Sequence, residues 1–216
     1  MDTSDSGYYH NAYAFNQFLA RQGYIVLAVN YRSGIGYGMN FREALNYGPS
    51  GASEFLDVLG GGLYLKNRSD VDQNRIGLWG GSYGGFLTAM GLAKASNLFS
   101  AGVDLHGVDD WNAIIKNFDQ SYDPLKHKEI AKLAFDSSPA AYVKDWKSPV
   151  LLIQGDDDRN VPFNETVNLI ESLRKNDVYF EQLVFPDEVH GFLLYSNWIK
   201  AYTAAFDFFE RKLKHK

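Results

Sequence analysis

The apolar residues of this chain fall into two kinds of segment, which alternate along the sequence. Short unbroken apolar runs are typical of strands buried on both faces, and apolar positions three and four apart are typical of helices. The runs predict strands at residues 24–31, 75–79, 101–105, 149–154 and 179–185. The spaced pattern predicts helices at residues 10–21, 53–65, 86–95, 164–175 and 195–214. This alternation predicts an α/β fold with a mostly parallel sheet flanked by helices.

Two regions depart from the alternation. Residues 109–147 are aromatic, charged and irregular, which predicts short helices above the sheet with a break at residues 137–139. The polar stretch 1–6 lacks the basic and apolar parts of a signal peptide and predicts a frayed start. Because no repeat or low-complexity linker divides the chain, we predict one domain over residues 1–216.

A glycine-flanked serine stands between one predicted strand and the next predicted helix. The order is an apolar run that ends at Trp79, then Gly80-Gly81-Ser82-Tyr83-Gly84, then the helical pattern. A serine on such a sharp strand-to-helix turn is a nucleophile elbow, which exposes its hydroxyl at the positive end of the helix. We expect Gly80 and Gly84 to be required because strand and helix pass closely there, with Gly85 adding room. The alternative is a glycine-rich turn with an incidental serine.

The composition narrows the chemistry that the chain can carry. A net charge of −5 is too mild for a nucleic-acid or membrane surface, so the predicted partners are small or peptidic. The chain has no cysteine, and therefore no thiol nucleophile, disulfide or thiolate metal site. The aliphatic runs are far shorter than the roughly 20 residues of a membrane span, which predicts a soluble protein. The compartment is left open, with a cytoplasmic location favoured over secretion.

A second glycine-rich stretch, residues 34–38, invites comparison with a dinucleotide-binding loop. The third glycine of that fingerprint would stand where Met39 is, and the residues after it do not open an apolar helix. We therefore predict no nicotinamide or flavin, and no other cofactor or metal.

Groups able to activate the serine are expected after later strands, because reactive groups collect at the carboxyl ends of parallel strands. Three aspartates, residues 156–158, follow one predicted strand, and His190 follows the next. The resulting order Ser, Asp, His is that of α/β hydrolases, and histidine can accept the serine proton near neutral pH. We choose His190 as the base and retain His106 as a competing, pocket-lining candidate. Spacing alone does not decide which of the three aspartates is the acid.

Nearly the whole chain resembles the catalytic domain of the prolyl oligopeptidase family of serine peptidases, nearest to its dipeptidyl-peptidase IV and acylaminoacyl-peptidase branches. The resemblance rests on residues 29–38, 72–85, 151–162 and 187–191. It implies an α/β-hydrolase fold and, through the family pattern Gly-x-x-Asp-x-x-Val, selects Asp158 as the acid. It also implies that the backbone N–H of Tyr83 helps to hold the oxyanion. Residues implied to bind substrate are Val108, Trp111, Asn160 and Val161, joined in the apolar pocket by Tyr83 itself.

Two departures from the family pattern affect these expectations. Gln154 stands where the family commonly has histidine, and we expect it not to touch the triad. The family's upstream β-propeller and first strands, with a loop that supplies a second oxyanion donor, have no counterpart, so the domain is expected to be N-terminally incomplete. One absent strand would lie between residues 24–31 and 75–79. We expect these segments to close together or the space to be filled, and the isolated chain to be weakly active and to self-associate.

The expected function is a serine peptidase that cleaves short peptides after an apolar residue, through an acyl-enzyme. A carboxylesterase that uses the same triad is the first alternative. The second is an inactive fragment that retains the triad but serves only folding or assembly.

Overall fold

Four parallel strands form the centre of the protein. The computed structural model describes the backbone of residues 6–214 and the side chains of residues 12–214. The strands lie in the order β1-β2-β3-β4, so each pairs with the next one along the chain. Their bounds are Gly77–Gly81 (β1), Ala101–Leu105 (β2), Val150–Gly155 (β3) and Phe180–Phe185 (β4). The predicted α/β fold with a parallel sheet is confirmed.

Helices cover both faces of this sheet and connect its strands. The α-helices are Ser6–Arg21 (α1), Met39–Arg42 (α2), Phe55–Lys66 (α3), Tyr83–Lys94 (α4), Trp111–Phe118 (α5), Lys128–Asp136 (α6), Asn164–Lys175 (α7) and Tyr195–Phe209 (α8). Short 3₁₀ helices occupy Gly48–Ser50 and Pro139–Asp145, and a π-helical turn, Glu210–Lys214, extends α8. The region 109–147 contains α5, α6 and the second 3₁₀ helix, with the predicted break after α6. No helix within residues 6–214 has both the length and the apolarity needed to cross a bilayer. The predicted frayed start lies largely outside the described residues.

The core has two layers, one on each face of the sheet. One layer joins α3, α4 and α7 to the sheet through residues such as Phe86, Leu152 and Leu169. The other layer joins α1 and α8 to the opposite face. Every residue of β2 and β3 is buried, which explains why these strands are almost wholly apolar, with Asp104 and Gln154 as the polar exceptions.

The prediction of a strand at residues 24–31 is wrong, because this segment belongs to no strand of the sheet. A strand needs a neighbour for its backbone N–H and C=O groups. A cavity of about 1150 Å³ separates residues 24–31 from β1, and both segments line it. The two segments have therefore not closed together, so the first of the two expected arrangements is wrong. The other, in which another segment or a partner chain fills the space, stays a prediction.

Contacts at both ends of residues 24–31 hold this cavity open. At one end, the Tyr24 hydroxyl donates to Glu210 Oε1 at 2.8 Å. At the other end, Arg32 pairs with Asp57 on α3 through two side-chain nitrogens, at 2.6 and 2.8 Å. Moving the segment onto β1 would break these contacts, so the anchors favour the separated arrangement.

Three carboxylic acids are buried close to the carboxyl end of β2. Asp104, Asp109 and Glu165 are each 3% exposed or less. Burial raises the pKa of Glu165 to about 7, although the backbone N–H groups of Asp109 and Asp110 donate to its Oε2. Burial also raises the pKa of Asp104 to about 7. The pKa of Asp109 lies well above its ordinary value because of burial and then the charges of three neighbouring carboxyl groups, those of Asp104, Glu165 and Asp110. These acids therefore hold protons in the folded protein at pH values where the unfolded chain has lost them.

The pKa of Glu165 predicts that the fold loses stability as the pH rises from about 5 to 8. The unfolded side chain ionises near 4.5 and the folded one near 7. The free energy of unfolding therefore falls as the pH rises between these two pKa values, by up to about 3 kcal/mol in total. Glu165→Gln is neutral at every pH and should raise the melting temperature more at pH 8 than at pH 5. Glu171→Gln, an exposed position on the same helix, is the control and should show no such difference. An equal change at both pH values for Glu165→Gln would contradict the prediction.

The open edge of β1 predicts self-association. Within the described chain β1 pairs only with β2, and an unpaired edge invites pairing with another chain. Light scattering after gel filtration should show a mass that rises with concentration. The double change Ile25→Lys and Leu27→Lys places charges in the cavity wall and should reduce this association. Leu125→Lys, at an exposed position that does not line the cavity, should not. A monomer at every concentration would contradict the prediction.

Candidate active site

Ser82 sits on a strained turn between β1 and α4. Its backbone has φ 55° and ψ −117°, and Tyr83 begins the helix. A methyl group on Gly80 would come within 2.5 Å of the Gly84 backbone, as expected for this close crossing. The same expectation for Gly84 is wrong, because a methyl there would face open space in the cavity. The second close contact is made by Gly85, where a methyl would lie 2.3 Å from Asp104 Oδ1.

A chain of two hydrogen bonds connects Ser82, His190 and Asp158. The Ser82 hydroxyl donates to His190 Nε2 at 2.8 Å, and His190 Nδ1–H donates to Asp158 Oδ2 at 2.8 Å. The Asp158 side chain is fully buried and that of His190 is 20% exposed. The structure thus brings together the three residues that the sequence selected, in the geometry of a catalytic triad.

The loop after β3 fixes the second oxygen of Asp158. Asp158 Oδ1 accepts hydrogen bonds from the backbone N–H groups of Asn160 and Val161, at 2.9 and 3.0 Å. Burial alone would raise the pKa of Asp158, but the hydrogen bond from His190 and these N–H groups outweigh it and hold the pKa below its ordinary value. Asp158 is therefore a carboxylate at neutral pH.

Gln154 does touch the triad, contrary to our expectation. Its Nε2 donates to Asp158 Oδ2 at 3.4 Å and to the carbonyl of Val161 at 2.7 Å. Its Oε1 accepts a hydrogen bond from the Thr166 hydroxyl on α7. Gln154 therefore links the acid's loop to the end of β3.

The other two aspartates of the triplet have different surroundings. Asp157 is exposed and pairs with Arg159 at 3.3 Å. Asp156 is also exposed, and its Oδ1 accepts the backbone N–H of Asp187 at 2.7 Å. Asp156 therefore joins the loop of the acid to the loop of the histidine, while neither aspartate reaches His190 by a hydrogen bond.

Glu188, which no sequence pattern selects, anchors the loop that carries His190. It is 2% exposed, and its carboxylate accepts the backbone N–H groups of Leu193 and Leu194 and the side chain of Asn197. Its backbone oxygen accepts the N–H of Asp157 at 3.1 Å. A lone glutamate beside a histidine carries no sequence signal for this role.

Tyr83 begins α4, where backbone N–H groups have no acceptor within the helix. Its N–H is therefore available to an oxyanion at Ser82. The Tyr83 hydroxyl donates to Glu54 Oε1 at 2.5 Å, and its ring lies 5.8 Å from the rings of both Tyr31 and Trp111. Glu54 is fully buried and also accepts the N–H of Gly48. Sequence reasoning missed Glu54 because a single carboxylate at the start of a helix is usually a cap.

The predicted substrate-binding residues do not all share one environment. Val108, Trp111 and Val161 are buried in the core beside Tyr83, with 3 to 7% exposure. Asn160 is exposed and lines the same cavity as Ser82, His190 and Tyr83. The roles of these residues toward a substrate stay predictions.

His106, the competing candidate, packs against the ring of His190. Its ring centroid is 4.2 Å from that of His190, and its side chain is buried. Ligand atoms of His106, Asp158 and His190 lie within 4.8 Å of one another, a spacing that suits a metal ion. Both nitrogens of His190 already bond to triad partners, so an ion there would displace those bonds. The hydrogen bonds favour a triad over a metal centre.

Comparison with known proteins finds matches over most of the chain. The family model described as "Prolyl oligopeptidase family" matches residues 11–216. Dipeptidyl aminopeptidase BIII of Pseudoxanthomonas mexicana is 29% identical over 190 residues, which cover 82% of this chain and 27% of that protein. An acylaminoacyl peptidase structure from Pyrococcus horikoshii superimposes with a TM-score of 0.79 at 29% identity, over 93% of this chain and 34% of that one. An acylaminoacyl peptidase in complex with Z-Gly-Gly-Phe-chloromethyl ketone gives a TM-score of 0.71 at 29% identity, over 86% and 31%.

The chain spans about a quarter of the length of the curated relatives it matches. The likeness covers the sheet, the flanking helices and the loops that carry the three site residues, and it identifies the fold as that of α/β-hydrolase peptidases. Since the family model matches almost the whole sequence, the chain belongs to the prolyl oligopeptidase family.

Proposed function

We propose that this chain is the catalytic part of a serine peptidase that cleaves short peptides through an acyl-enzyme. The observation that carries the proposal is the hydrogen-bonded series from Ser82 through His190 to the buried Asp158. Membership of a family of peptidases supports it.

The geometry fits each step of acyl transfer. His190 Nε2 accepts the hydroxyl proton as Ser82 Oγ attacks the peptide carbonyl, and Asp158 stabilises the imidazolium and holds its tautomer. The Tyr83 N–H holds the oxyanion that forms. Collapse of this intermediate breaks the C–N bond, and the leaving amine takes the proton from His190. Water then attacks the acyl-enzyme, with His190 accepting its proton. As the bond from the acyl carbon to Ser82 Oγ breaks, His190 returns that proton to Ser82 Oγ, and the acid product and free Ser82 result.

An apolar residue before the cleaved bond is part of the proposal. The aromatic rings of Tyr83 and Trp111 lie 5.8 Å apart, and Val108 and Val161 belong to the same apolar cluster. Asn160, exposed in the cavity beside Ser82, would bind the substrate backbone. The peptide ketone in the complex of the related acylaminoacyl peptidase has phenylalanine next to its reactive group, which agrees with this preference.

Further partners belong to the same proposal through the family resemblance. We expect an upstream β-propeller domain and a second oxyanion donor in the full-length protein, and association between copies through the open edge of β1.

Ser82→Ala tests the proposal directly. Removal of the nucleophile should lower turnover by about 10⁴-fold or more and abolish labelling by a fluorophosphonate probe, since labelling requires an activated serine. The melting temperature should stay within a few degrees of the wild-type value. Ser100→Ala, at the opposite end of the sheet, is the control and should label normally.

The substrate panel distinguishes the alternatives. Hydrolysis of aminoacyl p-nitroanilides supports a peptidase, whereas hydrolysis of short-chain acyl esters alone would make the protein an esterase. Absence of labelling in the folded wild-type chain would leave an inactive fragment and reject the proposal.

Asp158→Asn tests the assignment of the acid. An asparagine favours the wrong tautomer of His190, so turnover should fall by about 10⁴-fold, as in other triads. Asp156→Asn and Asp157→Asn should change turnover only a few-fold, because asparagine keeps an acceptor oxygen and neither aspartate bonds to His190. The assignment is wrong if either control is as inactive as Asp158→Asn.

A further inference from the structure

His106 makes contact with both the nucleophile's backbone and the catalytic base. It directly follows β2, and its backbone N–H donates to the carbonyl of Ile153 on β3 at 2.8 Å. Its side chain is 1% exposed, and its φ of 42° lies in the left-handed region. The hydrogen bond to β3 therefore fixes the backbone from which the His106 ring extends.

One nitrogen of His106 is a second acceptor for the amide of Ser82. The Ser82 N–H donates to the carbonyl of Leu105 at 2.8 Å and to His106 Nδ1 at 3.1 Å. This amide belongs to the strained residue at the elbow, whose φ is 55°. The imidazole thus adds a hydrogen bond at the point where the serine's backbone departs from ordinary geometry.

The face of the His106 ring supports His190. The two ring centroids are 4.2 Å apart with an angle of 52° between the planes, and Phe192 contacts the His106 ring edge-on at 5.9 Å. This packing limits movement of the His190 ring toward His106.

The protonation of His106 suits a supporting role and not proton transfer. Burial, and then the neighbouring charge of His190, lower the pKa of His106 to about 3, so its ring is neutral. Since Nδ1 accepts a hydrogen bond, the proton of the neutral ring lies on Nε2. Nε2 has no hydrogen-bond partner among the described residues. His106 therefore has no free lone pair with which to act as a base.

We infer that His106 is a positioning residue of the active site, which holds the Ser82 amide through Nδ1 and backs the His190 ring through its face. This inference rests on the proposed function, because it concerns the same nucleophile and base. It assigns to His106 a task that neither base catalysis nor pocket lining describes.

Three substitutions separate the two contacts. His106→Asn keeps an acceptor near the position of Nδ1 but loses the ring, and asparagine tolerates the left-handed backbone. His106→Phe keeps a ring but loses the acceptor. His106→Leu is close in shape to asparagine and loses both features. Melting curves confirm that each variant is folded before rates are compared.

The measurement is the rate of fluorophosphonate labelling of residues 1–216. We expect His106→Asn and His106→Phe each to label about 5-fold more slowly than the wild type and His106→Leu about 30-fold more slowly, as the loss of one or two contacts implies. With a chromogenic substrate, kcat should fall while KM stays nearly constant. The inference is overturned if His106→Leu labels as fast as the wild type, or if neither His106→Asn nor His106→Phe labels faster than His106→Leu.

A nitrogen-15 NMR spectrum of the wild-type histidines tests the inference without any variant. A neutral His106 ring with its proton on Nε2 at pH 7 is the expected result, and a charged ring or a proton on Nδ1 would overturn it. If the wild-type chain fails to label while His106 shows the expected tautomer, the proposed function fails and the positioning of the Ser82 amide stands.

Discussion

The parallel register of β1 to β4 is the constraint on which the site depends. Gly81 of β1 pairs with Leu105 of β2, Leu105 pairs with Ile153 of β3, and β3 and β4 end in register at Gly155 and Phe185. The loops that carry the serine, the acid and the histidine therefore all begin at the carboxyl end of the sheet. A slip of one residue in any strand would turn its side chains to the opposite face and move the attached loop. Hydrogen bonds of the loops then complete the alignment that the strands begin. The Glu188 carboxylate orders its own loop, and its backbone carbonyl accepts the N–H of Asp157 from the loop of the acid.

Burial has opposite consequences for the carboxyl groups at this end of the sheet. Asp158 is buried but keeps a pKa below the ordinary value, because His190 and two backbone N–H groups donate to it. Asp109 is also buried and has a raised pKa, and its Oδ1 has no hydrogen-bond partner within the described chain. Glu165 accepts two backbone N–H groups and still has a raised pKa, so the hydrogen bond and the charge of His190 account for the lowered pKa of Asp158. The carboxylate beside His190 thus ionises more readily than usual, whereas the pKa values of the acids near the end of β2 are raised.

Local sequence signals predicted most of the fold and selected Ser82 and His190, for identifiable physical reasons, whereas Asp158 was selected among three aspartates only by the family resemblance. The runs at β2 and β3 are buried on both faces, and the elbow requires glycine at residue 80, so both leave a clear pattern. Residues 24–31 carry the same apolar pattern yet form no strand, because pairing depends on a neighbour that a local pattern cannot report. Glu54, Glu188 and the Gln154 contact escaped prediction for a related reason. Their partners come from other segments, and a single polar residue does not indicate where its hydrogen bonds go.

The cavity beside β1 lies next to both the unpaired side of this strand and the candidate active site at the carboxyl end of the sheet. It extends along the unpaired side of β1 and reaches Ser82, His190 and Asn160 at the carboxyl end. A segment that paired with β1 there would satisfy backbone groups along the strand, and its own end would lie beside the serine. Gly84 is consistent with this, since it faces the cavity and has room that the crossing of β1 and α4 does not use. In the proposed mechanism the Tyr83 N–H is one oxyanion donor, and the cavity leaves room beside Ser82 for a second. A segment that completed the sheet along β1 would therefore also reach the proposed oxyanion site, and on this proposal a variant that closes the cavity without adding a donor should gain stability and no activity.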